Sequence, residues 1–481
     1  VSSAHHGPGA TSGPAANVAA SFAQALDGLR DSFFQDSPPA IAVALSGGLD
    51  SMVLLRLAHG YARARGLALF AFHVHHGLSP NADAWRDHCA AAAGELGVPF
   101  DARAITVQKG ASGIEAAARK RRYAALGEMC RAHGVGLLLT AHHLDDQAET
   151  VLLQLLRGSG PAGLSGMDAA NRAPTLLGDA QLVMARPLLN QGRAVLEAFA
   201  QGEGIAWVED ESNADPRYAR NALRHGVMPA LAQAFPGFQQ RLARSAMHMQ
   251  STQRLLDELA AQDLAACLAE DALDLARLRA LSRDRINNLL RHWFARRRIA
   301  MPSTAWLEQM LDQLLSARED AQLLVNHPDC EVRRHRDHLY LVPHPPALAG
   351  MRDPDDEGLI VKHAQAFVWR GEASLAFPDY GGVLYFDRAE FGFDPAWLGA
   401  QALEIDFRKG GEKLKLAAKR PTRSLKQLFQ AAGVPAWERT RLPIVSSGFE
   451  LLFAAGLGMD CHRLSKGPER IVLRWESAPA A

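Results

Sequence analysis

Cysteine is scarce in this chain and poorly placed for chemistry. Cys89, Cys130, Cys267, Cys330 and Cys461 are the only five in 481 residues, and no two form a C-x-x-C pair. An odd, scattered set offers neither a zinc site nor a paired redox centre and suits a reducing, cytoplasmic setting. Long apolar runs are missing too. No stretch reaches the ~20 residues of a membrane helix and no signal-peptide pattern opens the chain, so no membrane partner is expected. Net charge is also absent, with 52 Lys plus Arg against 52 Asp plus Glu. A nucleic-acid partner would have to be met by a local basic surface. There is no internal repeat and no heptad pattern. What remains is 48% apolar and 22% charged, a globular profile, with length for about three domains.

The organising stretch is 41–51, IAVALSGGLDS, in which five apolar residues run into Ser46, Gly47, Gly48, Leu49, Asp50 and Ser51. Apolar positions at helical spacing follow, so the glycines sit on a strand-to-helix turn. Adjacent glycines let the backbone approach a ligand, and the first N–H groups of the helix favour an anion, which together make a phosphate cradle. The Lys of a G-x-x-x-x-G-K-[ST] loop is missing, and an acid, Asp50, stands in its place. A carboxylate repels a polyphosphate unless a cation lies between them, so a nucleotide here calls for Mg²⁺ at Asp50. An ordinary capped turn is the plain alternative.

Around this loop helix and strand alternate. Helices are expected over 18–34, 51–65, 83–96, 114–133 and 145–157, and strands over 41–45, 67–74, 100–107 and 135–141. Short β-rich runs between amphipathic helices imply right-handed crossovers and a doubly wound parallel sheet, with ligands beyond the carboxyl ends of its strands. Two strand exits are polar: His73, His75 and His76 after the second, and Thr140 to Thr150 (TAHHLDDQAET) after the fourth. A second Gly-rich loop, 157–167, reads either as a cover for a ligand or as a mobile connection. The division expected is a flexible tail at 1–17, a catalytic domain at 18–228, a mainly helical domain at 229–342, a linker and strand-rich connection at 343–399 and a small α+β domain at 400–476.

The last domain holds a basic cluster. Between 406 and 441 stand Arg408, Lys409, Lys413, Lys415, Lys419, Arg420, Arg423, Lys426, Arg439 and Arg441 against Asp406, Glu412 and Glu438. Such clusters neutralise backbone phosphates, and Phe429 and Trp437 beside them favour RNA over a plain solvated face.

With these residues in view the chain resembles the PP-loop ATP pyrophosphatases, through SGGLDS, and within them the bacterial tRNA(Ile)-lysidine synthetases. The motifs are HVHHGL at 73–78, IEAAARKRRY at 114–123, TAHHLDDQAETVLLQLLRGSGPAGLSGM at 140–167 and EDESNADPRYARN at 209–221. The resemblance implies an adenine nucleotide α-hydrolase-like fold and a two-step ligation. The 2-carbonyl oxygen of the wobble cytidine in isoleucine tRNA with a CAU anticodon attacks the α-phosphate of ATP and pyrophosphate leaves. Free L-lysine then displaces AMP, giving lysidine. A homodimer is compatible with this reading.

The resemblance also implies roles. Ser46, Gly47, Gly48, Leu49, Asp50, Ser51 and His73 bind ATP, Asp50 binds Mg²⁺, Arg119 serves adenylation, and Asp146 with Glu149 binds the lysine ammonium. Arg220, Arg224, Lys415, Lys419, Arg420, Arg423 and Lys426 bind tRNA. The family usually has Asn where His75 stands. Physically, Asp146 and Glu149 lie three apart at a helix start and share a face, although D-x-x-E there is also a capping box, with Asp145 the expected cap. Arg119, Arg122 and Tyr123 share one helix side. A lysine amine, with a solution pKa of about 10.4, needs a base, and His142 and His143 are both candidates. A tRNA thiolase and a non-catalytic, nucleotide-responsive RNA-binding protein are the rival readings.

Overall fold

The computed structural model describes residues 14–35, 40–75, 77, 79–106, 114–209, 219–316, 323–344 and 364–477. Two compact units divide the chain: residues 1–265 with 283–293, and residues 266–282 with 294–481.

The first unit is built on six strands: β1 (Ala40–Ala44), β2 (Ala68–His75), β3 (Phe100–Ala104), β4 (Leu137–Leu139), β5 (Ala170–Arg172) and β6 (Val183–Ala185), in the order β3-β2-β1-β4-β6-β5. All neighbours are parallel except β5, which runs antiparallel along β6. The chain steps outward from β1 through β2 to β3, then returns to β4 on the other side of β1. The β1/β4 boundary is thus where strand order reverses and where a crevice opens beyond the strand ends.

Helices cover both faces, which is why the central strands read as unbroken apolar runs. Side chains alternate across β1. Ile41 and Val43 pack with α1 (Pro14–Phe33), α2 (Leu49–Arg65) and α3 (Ala82–Glu95), while Ala40 and Ala42 pack toward α4 (Ile114–Ala132). The first helix starts at Pro14, inside the stretch expected as tail. After β4 come α5 (Leu144–Leu156), the one-turn α6 (Pro161–Leu164) and α7 (Pro174–Leu177), then α8 (Arg193–Gly202). A short α9 (Ala219–Ala222) continues through a widened π turn at Leu223–Val227 into α10 (Met228–Ala234), followed by the long α11 (Phe238–Cys267).

The second unit opens with a five-stranded antiparallel sheet whose centre is the hairpin Cys330–His335 and His338–Pro343. The hairpin turns at Arg336 and Asp337. Beyond it, Trp369, Phe377, Leu384, Phe386 and Phe393 share one core with Leu403, Ile405, Val445, Phe453 and Leu473. That core runs across the division placed at 399. Residues 345–363, near the start of the expected linker and strand-rich connection, lie outside the described residues.

Candidate active site

The Gly-rich turn is tied into a knot by one hydroxyl. Ser51 Oγ accepts from the N–H of Ser46 at 3.2 Å and of Gly47 at 3.1 Å, and donates to the carbonyl of Gly48 at 2.9 Å. Ser51 is buried, so its hydroxyl organises the loop from inside and does not project from it. Gly47 has φ +89°, and a Cβ there would stand 3.0 Å from Val208 Cγ2 and 3.2 Å from Cys89 Sγ. Only glycine fits both the conformation and the space. Gly48 starts α2 in extended conformation, leaving the first-turn N–H groups of that helix without intrahelical partners. His73 is buried at the end of β2 with Nδ1 2.9 Å from the Leu45 carbonyl, so it braces the strand that leads into the loop. His76 and the stretch 210–218 lie outside the described residues.

The fourth strand delivers its polar exit beside this loop. His143, extended at φ −125° and ψ −178°, is the N-cap of α5: its Nδ1 accepts from Asp146 N at 3.4 Å, and Asp146 Oδ2 accepts from His143 N at 3.1 Å. The expected cap, Asp145, falls one residue inside the helix start and instead accepts from Arg193 N at 2.9 Å, which caps α8. Capping box and candidate ligand thus coincide in Asp146, with Oδ2 in the box and Oδ1 pointing elsewhere. His143 also bridges the two centres. Its Nε2 lies 3.6 Å from Asp50 Oδ2 and 3.5 Å from Asp146 Oδ2. Arg193 Nη1 is 3.6 Å from the same oxygen of Asp50, whereas Asp50 Oδ1 is buried with no hydrogen-bond partner among the described residues.

Glu149 is almost wholly enclosed, with 1% of its side chain exposed. Arg224 Nε donates to its Oε1 at 2.6 Å, and Arg220 Nε and Arg224 Nη2 donate to its Oε2 at 2.7 and 3.0 Å. Both arginines also reach Asp146 Oδ1, at 3.3 and 3.5 Å. Arg220 and Arg224, expected on tRNA, are found here on the two acids expected to hold lysine.

The charges sort the two histidines. Burial disfavours protonation of His143, but a hydrogen bond to Asp50 and the charges of Asp146, Asp50 and Asp145 outweigh it and raise its pKa. Burial is also the main influence on His142. Asp146 opposes it, Arg186, Arg119 and Arg220 reinforce it, and the pKa falls to about 3. His142 is therefore neutral at pH 7, with Nδ1 3.0 Å from Thr140 Oγ1. For Asp146, burial acts upward, but His143, Arg220, His142 and the His143 N–H prevail and hold the carboxyl below its usual range. Arg119 is exposed, its guanidinium 5.0 Å from the centre of the buried Tyr123 ring.

The second Gly-rich loop is pinned. Gln147, next to Asp146, accepts from Met167 N at 2.8 Å and donates to Met167 O at 3.0 Å, while Gln250 on α11 donates to Ser165 O at 2.9 Å. Gly166 has φ +63°, and a Cβ there would strike the Gln147 amide at 2.8 Å. Sequence reasoning missed Gln147, Arg186, Arg193 and Gln250. For Arg193 the signal available was Gly192 followed by a helix start.

In the second unit Lys419, Arg420, Arg423 and Lys426 are exposed and Lys415 is half-buried; among the described residues none of the five forms an ion pair. The two aromatics read as RNA contacts are used otherwise. Phe429 is 1% exposed in a core with Leu414 and Leu425. Trp437 is packed edge-on against His335 and Tyr340 with Arg333 over its ring at 5.1 Å. Phe429 is buried and the half-buried Trp437 ring is already covered by Arg333 and its aromatic neighbours, so the case for RNA rests on the charges.

Family comparisons agree in order along the sequence: a PP-loop domain matches residues 17–231, a TilS substrate binding domain residues 273–340 and a TilS substrate C-terminal domain residues 403–475. A tRNA(Ile)-lysidine synthase from Ralstonia nicotianae is 44% identical over 434 residues, 89% of this chain and 91% of that one. Another from Burkholderia pseudomallei is 43% identical over 456 residues, 90% and 91% of the two chains. Among solved structures, the U34-tRNA thiolase NcsA from Methanococcus maripaludis is similar over 48% of this chain and 80% of that one, at 17% identity and a TM-score of 0.38, a level on which no assignment rests. Full-length relatives above 40% identity and three consecutive domain matches place the chain in the tRNA(Ile)-lysidine synthase family.

Proposed function

We propose that this chain is an ATP-dependent, AMP-forming ligase that joins free L-lysine to the 2-position of the wobble cytidine of isoleucine tRNA with a CAU anticodon. The observation that supports it most is the shared histidine. His143 lies within 3.6 Å of the loop acid Asp50 and within 3.5 Å of the pocket acid Asp146, so activation and lysine delivery have adjoining sites.

In the first step the cytidine carbonyl oxygen bonds to the α-phosphorus of ATP and the α–β bond breaks, releasing pyrophosphate. The cradle at the start of α2 receives the phosphates, and Arg119 faces the charge that develops. The buried, unpartnered Asp50 Oδ1 fits a cation ligand, and Asp50 would hold Mg²⁺, which supplies charge neutralisation for the polyphosphate when bound. In the second step the lysine ε-ammonium gives up a proton, the freed ε-nitrogen bonds to C2, and the C2–O bond to AMP breaks. Asp146 and Glu149 recognise the ammonium. Of the two histidines, His143 is committed to the helix cap and lies against Asp50, so we assign proton acceptance to His142.

We assign residues 229–342 and 400–476 to tRNA binding, with Lys415, Lys419, Arg420, Arg423 and Lys426 on backbone phosphates. A cytoplasmic location fits, because ATP, lysine and tRNA meet there. A thiolase would need a reactive thiol or a cluster. Burial instead pushes the thiols of Cys89 and Cys130 up to about 12.

The test is incorporation of labelled lysine into isoleucine tRNA with ATP and Mg²⁺, with the closely similar methionine tRNA as control. Expected are one lysine per tRNA, AMP and pyrophosphate as products, and no reaction with the control. Sulfur transfer without lysine incorporation would assign the chain to the thiolases.

A further inference from the structure

The lysine pocket is already full of positive charge. Both acids that would recognise an ammonium are engaged by guanidiniums: Glu149 through three donors between 2.6 and 3.0 Å, Asp146 Oδ1 through two at 3.3 and 3.5 Å. Both oxygens of Glu149 already accept from guanidiniums and its side chain is 1% exposed, and Asp146 keeps its other oxygen in the helix cap. Lysine cannot meet both carboxylates while Arg220 and Arg224 stay where they are.

The segment that carries these arginines is irregular. They project from α9 and from the π turn that follows it, and such turns interrupt regular helical hydrogen bonding. Behind them is an open, mostly apolar groove of about 370 Å³ between Leu153, Leu156 and Arg157 on one side and Ala219, Ala222, Leu223 and Val227 on the other. Leu156 and Val227 are 74% and 46% exposed, while Leu223 is buried against Ala148, Leu152 and Leu153 of α5, so the backbone of the segment is anchored and any exchange is confined to the arginine side chains. The two guanidiniums themselves are about a third exposed and open to an incoming anion.

We propose that Arg220 and Arg224 form a latch that occupies the lysine site until a phosphate-bearing substrate draws the guanidiniums away. A guanidinium binds phosphate in the same two-pronged geometry as it binds carboxylate, so exchange between the two needs no new kind of contact. The reaction brings two such anions, the ATP polyphosphate and the tRNA backbone. Arg224 is already near enough to Asp50 for their charges to interact, and Arg220 is within electrostatic range of His142. The latch would keep lysine out of an unactivated site and make its binding conditional on the substrate that must react first. Because coupling between binding sites is reciprocal, lysine would tighten phosphate binding by the same factor. This inference rests on the assignment of Asp146 and Glu149 to lysine.

Equilibrium dialysis of labelled lysine against the full-length protein tests it, in four arms: protein alone, with Mg²⁺ and an ATP analogue uncleavable between the α and β phosphates, with isoleucine tRNA, and with both. Expected is weak binding to the protein alone and an affinity at least tenfold higher in one or more of the other arms, and the arm that responds identifies the phosphate source. The double substitution Arg220→Gln and Arg224→Gln leaves amide donors for the buried Glu149 but removes the charge. It is expected to bind lysine at least tenfold more tightly without any co-substrate and to lose the response to phosphate. Equal lysine affinity of the wild-type protein in all four arms overturns the latch, and that comparison stands even if the double variant fails to fold. Labelled-lysine incorporation separates the two claims. If incorporation proceeds while the four arms agree, the latch alone is wrong; if incorporation and binding both fail, so does the assignment of the pocket.

Discussion

The acids of the crevice and the bases of the C-terminal unit hold charge in opposite ways. Asp50, Asp146 and Glu149 are partly or wholly buried, and their arginine and histidine partners are fixed at hydrogen-bonding or ion-pair distances. Lys419, Arg420, Arg423 and Lys426 stand in solvent with no ion pair among the described residues. Buried charges are individually decisive, since removing one partner strands another in low dielectric. Exposed charges act by sum, are screened by salt, and substitute for one another. The first arrangement suits chemistry at defined atoms; the second suits a long polyanion.

Substitutions should reproduce that contrast. The largest effect is expected for Asp50→Asn, which should lower pyrophosphate release about a thousandfold or more while the protein still folds. Asp146→Asn and His142→Gln come next. Each should cost about a hundredfold in the lysine step, measured by chasing pre-formed adenylate with lysine, with adenylation itself preserved. An equal loss in both steps for either variant would mean that the residue serves the loop and not the pocket. Neutralising Lys415, Lys419 and Arg423 together should raise the KM for tRNA about tenfold and flatten its salt dependence by roughly 0.7–0.9 for each phosphate no longer neutralised, with ATP binding unchanged. An effect as steep as that of Asp50→Asn would erase the contrast.

The smallest effects are on stability. His143, with its pKa raised in the fold, contributes stability that is fully present below its unfolded value of about 6.5 and is lost as pH rises through its folded value. His142 works the other way. With its pKa lowered to about 3, folding is opposed as pH falls from about 6.5 toward 3. Asp146, also lowered, adds stability above its unfolded value that disappears as pH falls through its folded one. Urea midpoints across pH should therefore decline less steeply on the alkaline side in His143→Gln and less steeply on the acid side in His142→Gln. Unchanged profiles in both variants would show that neither ring is held as described.

Much of this was legible in the residues. The apolar run into SGGLDS marked β1 and its turn, and the strand and helix alternation marked the parallel sheet, because both rest on local periodicity. The acid spacing of Asp146 and Glu149 placed them on one face of α5, as found. Other features were hidden because they depend on residues far apart in sequence. That Arg220 and Arg224 lie on the acids follows from how α9 returns over α5, some 70 residues later. The cap was misplaced by two residues because histidine is an uncommon N-cap, and only the extended backbone at His143 reveals it. Trp437 and Phe429 looked like RNA-facing aromatics because a short sequence window cannot tell an open ring on a basic face from one that is buried, as Phe429 is, or covered by side chains of the same chain, as Trp437 is.

The order of events is the point to measure. Incubating the protein with isoleucine tRNA, Mg²⁺ and ATP labelled in the α-phosphate, without lysine, should place one labelled AMP on each tRNA, and adding lysine should release that AMP as lysidine forms. Label appearing on lysine in place of the tRNA would mean that the amino acid, and not the base, is activated, and would contradict the two-site crevice described here.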